Sequence, residues 1–84
     1  MKIVLLALCL ATAACAESDA DRAVARADYL RKIDATHEEK CAANRAAEYA
    51  LAEEDRTEEA AQYRLFADTS CLNAQLCQQK VGGC

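Results

Sequence analysis

The sequence predicts an all-α protein, a disulfide-stapled helical hairpin with a short third helix, and three observations support this prediction. Residues 17–81 contain no proline and no glycine. Fifteen of them are alanine, the residue with the highest helix propensity. Four cysteines fall in the later part of the chain and can form two bridges, namely Cys41, Cys71, Cys77 and Cys84.

The first 16 residues have the features of an export signal. Lys2 is followed by the apolar run Ile3–Ala11, and small residues dominate the positions after it. A membrane-spanning helix needs about 20 apolar residues, so this shorter run predicts a signal peptide rather than an anchor. We therefore expect residues 17–84 to form one small domain that is secreted or held at the cell envelope, where disulfides persist.

Cleavage of this signal can be interpreted in two ways. The segment Ala14-Cys15-Ala16 fits ordinary signal peptidase, which would release a chain that begins at Glu17. The same segment resembles a bacterial lipobox, in which Cys15 would become the first residue and carry a lipid. Thr12 departs from that pattern, because leucine is usual there. Both cuts leave the four later cysteines in the exported chain.

The exported chain is acidic and poor in large apolar residues. The full sequence has a formal charge of −4, and loss of the one cation Lys2 leaves −5. An acidic surface repels phosphate backbones and anionic lipids, so we expect no nucleic-acid partner and no membrane contact except through a lipid on Cys15. A core this small gains about as much from burial as it loses in chain entropy, so disulfides are expected to supply the stability.

Sequence signals for helix starts divide residues 17–81 into separate helices. Ser18, with Asp21 three residues later, predicts a capping box at the start of the first helix. We expect this helix to run to a corner at Glu53–Thr57, where Asp55 would cap the second helix. A short third helix is expected to start at Asp68–Ser70.

Helix length ranks the cysteine pairings. Measured from the corner, Cys41 lies about 18 Å along the first arm and Cys71 about 21 Å along the second, so the hairpin brings them level. Cys71 and Cys77 would be about 9 Å apart on one helix, too far for a bridge. Two sets remain, Cys41–Cys71 with Cys77–Cys84, and Cys41–Cys77 with Cys71–Cys84. The first set is favoured because Cys84 reaches Cys77 more easily.

Candidate chemistry is sparse, and we predict a protein that is not an enzyme and needs no cofactor or metal. His37 and Cys41 could join Cys71 and Cys77 in a zinc site, but in an exported chain a histidine beside a disulfide is the favoured interpretation. The acidic corner could offer paired carboxylates for acid–base catalysis, yet no apolar cleft is predicted around them. Those carboxylates are Glu53, Glu54, Glu58 and Glu59.

One apolar cluster is a candidate for partner binding. Tyr63, Leu65 and Phe66 lie within four positions of each other on the second arm. Packing against the first arm near Tyr49 and Leu51 is the favoured interpretation, and an exposed binding patch is the alternative. These three residues are therefore the candidate partner-binding residues.

Four short stretches resemble a known family. They are the lipobox-like Cys15, the helix at Tyr29-Leu30, Lys40–Asn44 and Cys71–Ala74. Together they are similar to the EexN/TrbK-type entry-exclusion lipoproteins of conjugative plasmids, although the longer interval between the paired cysteines and the two additional cysteines depart from that pattern. The resemblance implies an envelope protein that blocks redundant plasmid transfer by contacting the incoming transfer apparatus, without catalysis.

The expected function is stoichiometric binding to a partner protein, with entry exclusion at the cell envelope as one form of it. The alternative is a secreted, cysteine-stapled helical peptide, similar to a toxin, effector or ligand, that acts on a receptor or channel. The regular Ala14-Cys15-Ala16 cleavage site supports this alternative. The two hypotheses differ in the role of Cys15, which anchors the protein in the first and is removed in the second.

Overall fold

A computed structural model describes residues 17–80 as three helices. α1 spans Asp19–Lys32, α2 spans His37–Glu53 and α3 spans Thr57–Gln79. No strand occurs among residues 17–80, and the predicted all-α fold is confirmed. α2 and α3 form a disulfide-stapled hairpin, and α1 is the short additional helix, packed mainly against α2. The signal peptide, Cys15 and the predicted Cys77–Cys84 bridge involve residues outside the described range.

Capping boxes start the first two helices. The Ser18 hydroxyl accepts a hydrogen bond from the backbone N–H of Asp21 at 3.1 Å, which confirms the predicted start of α1. Thr36 and Glu39 form the same motif at the start of α2, where the Thr36 hydroxyl accepts from the Glu39 backbone N–H at 3.1 Å. Each box satisfies backbone donors that have no partner within the helix.

The first helix ends before residues 33–36, which form a turn. The prediction of one continuous helix from Ser18 to the corner is therefore wrong. Asp34 adopts a left-handed conformation with φ of 56°. The backbone N–H groups of Asp34 and Ala35 donate to the carbonyls of Arg31 and Leu30, which is the Schellman pattern of a helix end. Ile33, the C-cap residue of α1, is 51% exposed in this turn.

The predicted corner is confirmed at residues 54–56, but Asp55 does not cap the next helix. Asp55 has φ of 60° and ends α2 with the same Schellman pattern. The N–H groups of Asp55 and Arg56 donate to the carbonyls of Ala52 and Leu51. Arg56 takes the N-cap position of α3 and makes no side-chain capping bond there.

α3 is a single helix of 23 residues, so the predicted start of a third helix at Asp68–Ser70 is wrong. Asp68 and Ser70 of this segment contact α2 instead of capping a new helix. Asp68 accepts a hydrogen bond from Arg45, and the Ser70 hydroxyl accepts one from Asn44. The short additional helix therefore lies at the beginning of the described chain, not at its end.

The buried interface consists largely of alanine. Its apolar residues are Ala20, Ala27, Leu30, Ala43, Ala47, Leu51, Ala60, Ala67 and Ala74. The core has two clusters, one that contains Leu30 and one that contains Leu51. Tyr63 of α3 packs against both and connects them. Small side chains allow helix axes to approach closely. Leu30 and Leu51 are the only large apolar residues in the buried core of residues 17–80.

Candidate binding surfaces

The favoured Cys41–Cys71 bridge is confirmed, and it joins α2 to α3 at the open end of the hairpin. The two Cα atoms are 4.6 Å apart, although the residues are 30 positions apart in the chain. Both sulfur atoms are used in the bridge, so the alternative zinc set with His37 and Cys77 lacks two of its thiolates. Within residues 17–80, no group of three or more acidic, histidine or cysteine side chains is placed to hold a metal ion.

A buried polar pair lies one turn from the bridge. Asn44 has no exposed surface, and its amide donates to the Ser70 hydroxyl at 3.3 Å. The Asn44 carbonyl oxygen has no hydrogen-bond partner among the described residues. The side-chain N–H of Asn44 finds an acceptor in this alanine interface only when Ser70 lies opposite, so this pair favours a single alignment of α2 against α3.

An ion-pair network continues the contact between α2 and α3. Glu48 is only 7% exposed and accepts hydrogen bonds from Arg45 at 2.8 Å and from Arg64 at 3.2 Å. Arg45 also donates to Asp68 at 3.1 Å. Burial alone would raise the pKa of Glu48, but the hydrogen bonds from both arginines outweigh burial and lower it. Glu48 is therefore held as a carboxylate between the two helices.

Arg56 organises the opposite end of the hairpin. It forms a bidentate pair with Glu59, with both nitrogen–oxygen distances at 2.8 Å. A third nitrogen atom contacts Asp21 at 2.8 Å and Glu54 at 3.3 Å. Glu54 in turn accepts from the backbone N–H of Ala20 at 3.4 Å. The corner thereby binds the first turn of α1.

The charges of this corner shift one another's pKa values. The hydrogen bond from Arg56 is the main cause that lowers the pKa of Asp21, and it likewise lowers the pKa of Glu59. The same contacts raise the pKa of Arg56. Glu53 and Glu58, the other two carboxylates considered for acid–base chemistry, are exposed. The acidic corner is thus used to attach α1 to the hairpin.

The three candidate partner-binding residues do not share one surface. The Tyr63 hydroxyl donates to Asp28 at 2.7 Å, and the Arg31 guanidinium lies 4.1 Å from the centre of the Phe66 ring. Burial is the main cause that raises the pKa of Tyr63, and the hydrogen bond to Asp28 raises it further. Tyr63 and Phe66 thus contact α1, whereas Leu65 is 63% exposed.

The first exposed apolar region is a groove between α1 and α2, which we call the outer groove. It has a volume of about 330 Å³ and is lined by Ala23, Arg26, Glu39, Ala42, Ala43 and Ala46. Tyr49 is 62% exposed and follows Ala46 by three positions, so it continues the same side of α2. Tyr29 is 59% exposed and follows Arg26 by three positions on α1. Alanines flanked by exposed tyrosines form a surface typical of protein contacts.

The second region is the outer face of α3. It comprises Gln62, Leu65, Thr69, Leu72, Leu76 and Gln79, all of them exposed. Leu72 and Leu76 are 54% and 47% exposed. The buried residues Ala60, Ala67 and Ala74 repeat every seven positions on the opposite side of the helix. α3 therefore has two apolar faces, of which only one packs against α2.

Sequence reasoning missed both regions, since it grouped apolar residues by their proximity in the chain. The alternating spacing of three and four residues from Gln62 to Gln79 was the available signal for the outer face of α3. The outer groove gives no comparable signal, because it forms only when α1 folds back against α2. No helix within residues 17–80 has the length and apolar character needed to cross a membrane. Comparison of the chain with protein-family models, curated proteins and solved structures found no match.

Proposed function

We propose that the protein acts without catalysis, by stoichiometric binding of one partner protein in the outer groove. The observation that carries this proposal is an alanine-lined groove on a bridged scaffold, with the exposed Tyr29 and Tyr49 each one helical turn beyond a residue that lines it. Tyrosines contribute strongly to protein interfaces because they bury a large ring and still offer a hydroxyl. A scaffold fixed before binding loses little conformational freedom when the partner docks.

The charge in the groove indicates the chemistry of the partner. Arg26 lines the groove and forms no ion pair within residues 17–80, whereas Glu39 is used in the capping box of α2. The expected partner segment is a helix with a narrow apolar edge, which fits against the alanines, and a carboxylate that pairs with Arg26. Such a helix-in-groove contact is a common mode of peptide recognition.

Entry exclusion at the cell envelope is the form of this function that we propose first, on the resemblance carried by Cys15, Cys41 and Cys71. The partner would then be a component of the incoming transfer apparatus. A secreted stapled peptide that acts on a receptor or channel is the alternative, supported by the regular Ala14-Cys15-Ala16 cleavage site. In both cases the groove is the binding surface.

The test of the groove compares two charge reversals on α1. Arg26→Glu should abolish the activity by placing a carboxylate against the partner's carboxylate. Lys32→Glu makes the same change of charge at an exposed position outside the groove and should leave the activity intact. For the exclusion form, cells that make each variant serve as recipients. The measurement is the frequency with which they accept the cognate conjugative plasmid. Equal loss in both variants, or none in Arg26→Glu, would refute the groove.

Cys15→Ser separates the two forms of the function. Exclusion should be lost, because the lipid anchor is lost while the exported domain is unchanged. A secreted peptide should retain its full activity when added to target cells from outside. Turnover of a substrate at catalytic amounts of protein would contradict both forms.

A further inference from the structure

We propose that the outer face of α3 binds a second copy of the chain, as an antiparallel pair of α3 helices related by a two-fold axis. This surface lies on the other side of the molecule from the contacts with α1 and α2, and it is not needed for partner binding in the outer groove. The proposal therefore goes beyond the function proposed above.

The spacing of the face is that of a helix–helix seam. The positions are 62, 65, 69, 72, 76 and 79, separated by steps of three, four, three, four and three. This is the a and d pattern of a coiled coil, which places all six side chains along one side of the helix. The face is about 26 Å long at 1.5 Å per residue. All six residues are exposed, so nothing in the described chain covers them.

The order of side chains along the face identifies the second copy as its occupant. Read in either direction, the face begins with glutamine and leucine. In an antiparallel pair centred between Ser70 and Cys71, Gln62 faces Gln79 of the other copy and Leu65 faces its Leu76. Thr69 faces Leu72 in the two central layers. A two-fold contact requires such self-complementarity, whereas an unrelated partner would not require it.

Charge supports the same orientation. Antiparallel packing places Lys80 of one copy beside the first turn of α3 in the other, where the exposed Glu58 lies. Lys80 is exposed and forms no ion pair within residues 17–80. The opposed helix dipoles also attract in this arrangement, whereas parallel packing would bring the two acidic first turns together.

The size of the face sets the strength of the dimer. Stable complexes bury about 800 Å² on each partner, and a single helix face with three leucines offers less. We therefore expect a reversible dimer that forms as concentration rises. Sedimentation equilibrium of the exported protein from about 10 µM to about 1 mM, the range in which small interfaces dissociate, should show a monomer–dimer transition.

Substitutions on opposite sides of the molecule test the surface. Leu72→Glu places a carboxylate in both central layers and should weaken the dimer about tenfold or more. Tyr49→Glu changes an exposed residue of α2 and should leave dimerisation unchanged. Because both sites are exposed, circular dichroism should report unaltered helix content. A monomer throughout the concentration range, or equal effects of the two variants, would overturn the proposal.

Mixing two variants tests the register. Leu65→Glu alone and Leu76→Lys alone each place a charge against leucine in two layers, so both should be monomeric. Their mixture pairs the new glutamate with the new lysine in one layer and keeps leucine against leucine in the other. A dimer in the mixture is the expected result. A mixture that stays monomeric while the unmodified protein dimerises would refute the antiparallel register.

Discussion

The two ends of the α2–α3 hairpin are fixed by different chemistry. At the open end, the Cys41–Cys71 bridge joins the helices covalently, with Cα atoms 4.6 Å apart. At the corner, Arg56 contacts three carboxylates from three parts of the chain, and Asp21 among them belongs to α1. The bridge does not depend on pH near neutrality or on salt, whereas the ion pairs depend on both.

This difference separates two tasks. The bridge limits the freedom of the unfolded chain between its cysteines and so contributes to the stability of the whole hairpin. The corner contacts are exposed to water, where ion pairs contribute little to global stability. Their geometric effect is specific, because they hold α1 in place and thereby form the outer groove. Global stability and the shape of the binding surface can therefore be changed separately.

Removal of the bridge should have the largest effect. Cys41→Ser with Cys71→Ser opens a loop whose ends are 30 positions apart, which corresponds to about 3.5 kcal/mol of lost stability. Urea titration followed by circular dichroism at 222 nm is the measurement. Cys77→Ser with Cys84→Ser is the control, and it should cost less because the predicted loop is shorter. A smaller loss from the first pair than from the second would contradict the assigned role of the bridge.

Glu48→Ala should have the next largest effect. It removes the acceptor between Arg45 and Arg64 and leaves the partly buried Arg45 with Asp68 as its one carboxylate partner among residues 17–80, at a cost of about 2 kcal/mol. The same urea titration measures this change. Glu53→Ala, on the same helix but exposed, should leave the midpoint almost unchanged. Equal midpoints for the two variants would show that the network does not stabilise the hairpin.

Arg56→Ala should alter α1 more than the hairpin. Without Arg56, Asp21 loses its contact with the corner, and the backbone amides of the first turns of α1 should exchange hydrogen faster. Amides near the bridge should keep their protection, which hydrogen exchange read by mass spectrometry can resolve. Arg22→Ala is the control, because Arg22 pairs with Asp19 within the same helix. Uniform loss of protection would mean that the corner supports the entire fold.

Mild acid should produce the smallest effect, and the carboxylates of the corner should contribute to it. The pKa values of Asp21 and Glu59 are lowered from 3.8 and 4.5 in the folded protein. The unfolded chain therefore takes up protons first, so stability decreases as the pH falls through 4.5 and on through the lowered values. Thermal unfolding from pH 6 to pH 3 should show this decrease, and the Arg56→Ala variant should show a weaker one. An identical pH dependence in both proteins would contradict the pairing.

Features that depend on local chemistry or helix length could be predicted from the sequence. The capping box at Ser18 needs only residues three positions apart, and the Cys41–Cys71 bridge follows from the distance of each cysteine to the corner. The break at Asp34 was not predicted, because aspartate occupies a position where glycine is usual. The capping pair Thr36 and Glu39 was a readable signal for it.

The candidate site could be predicted only in part. Tyr63 and Phe66 form an apolar cluster with Leu65 in the sequence, but α3 is apolar on two sides and separates them. The roles of Arg56 and Arg26 depend on where α1 folds against the hairpin. Such positions follow from tertiary packing, and a pattern read along one helix does not contain them.

The alanine interface also determines how α2 can move along α3. Large side chains of one helix pack between those of the other and resist translation of the two helices past each other. A row of methyl groups presents a nearly smooth surface instead. In this protein, a shift by two turns would bring the next of the α3 alanines, which repeat every seven positions, to the same place on α2, while it would separate Asn44 from Ser70 and Glu48 from Arg64. The polar contacts, together with the bridge, therefore act as stops against translation. A variant without the bridge, Asn44 and Glu48 would lose those stops and sample several alignments while its helix content stayed high.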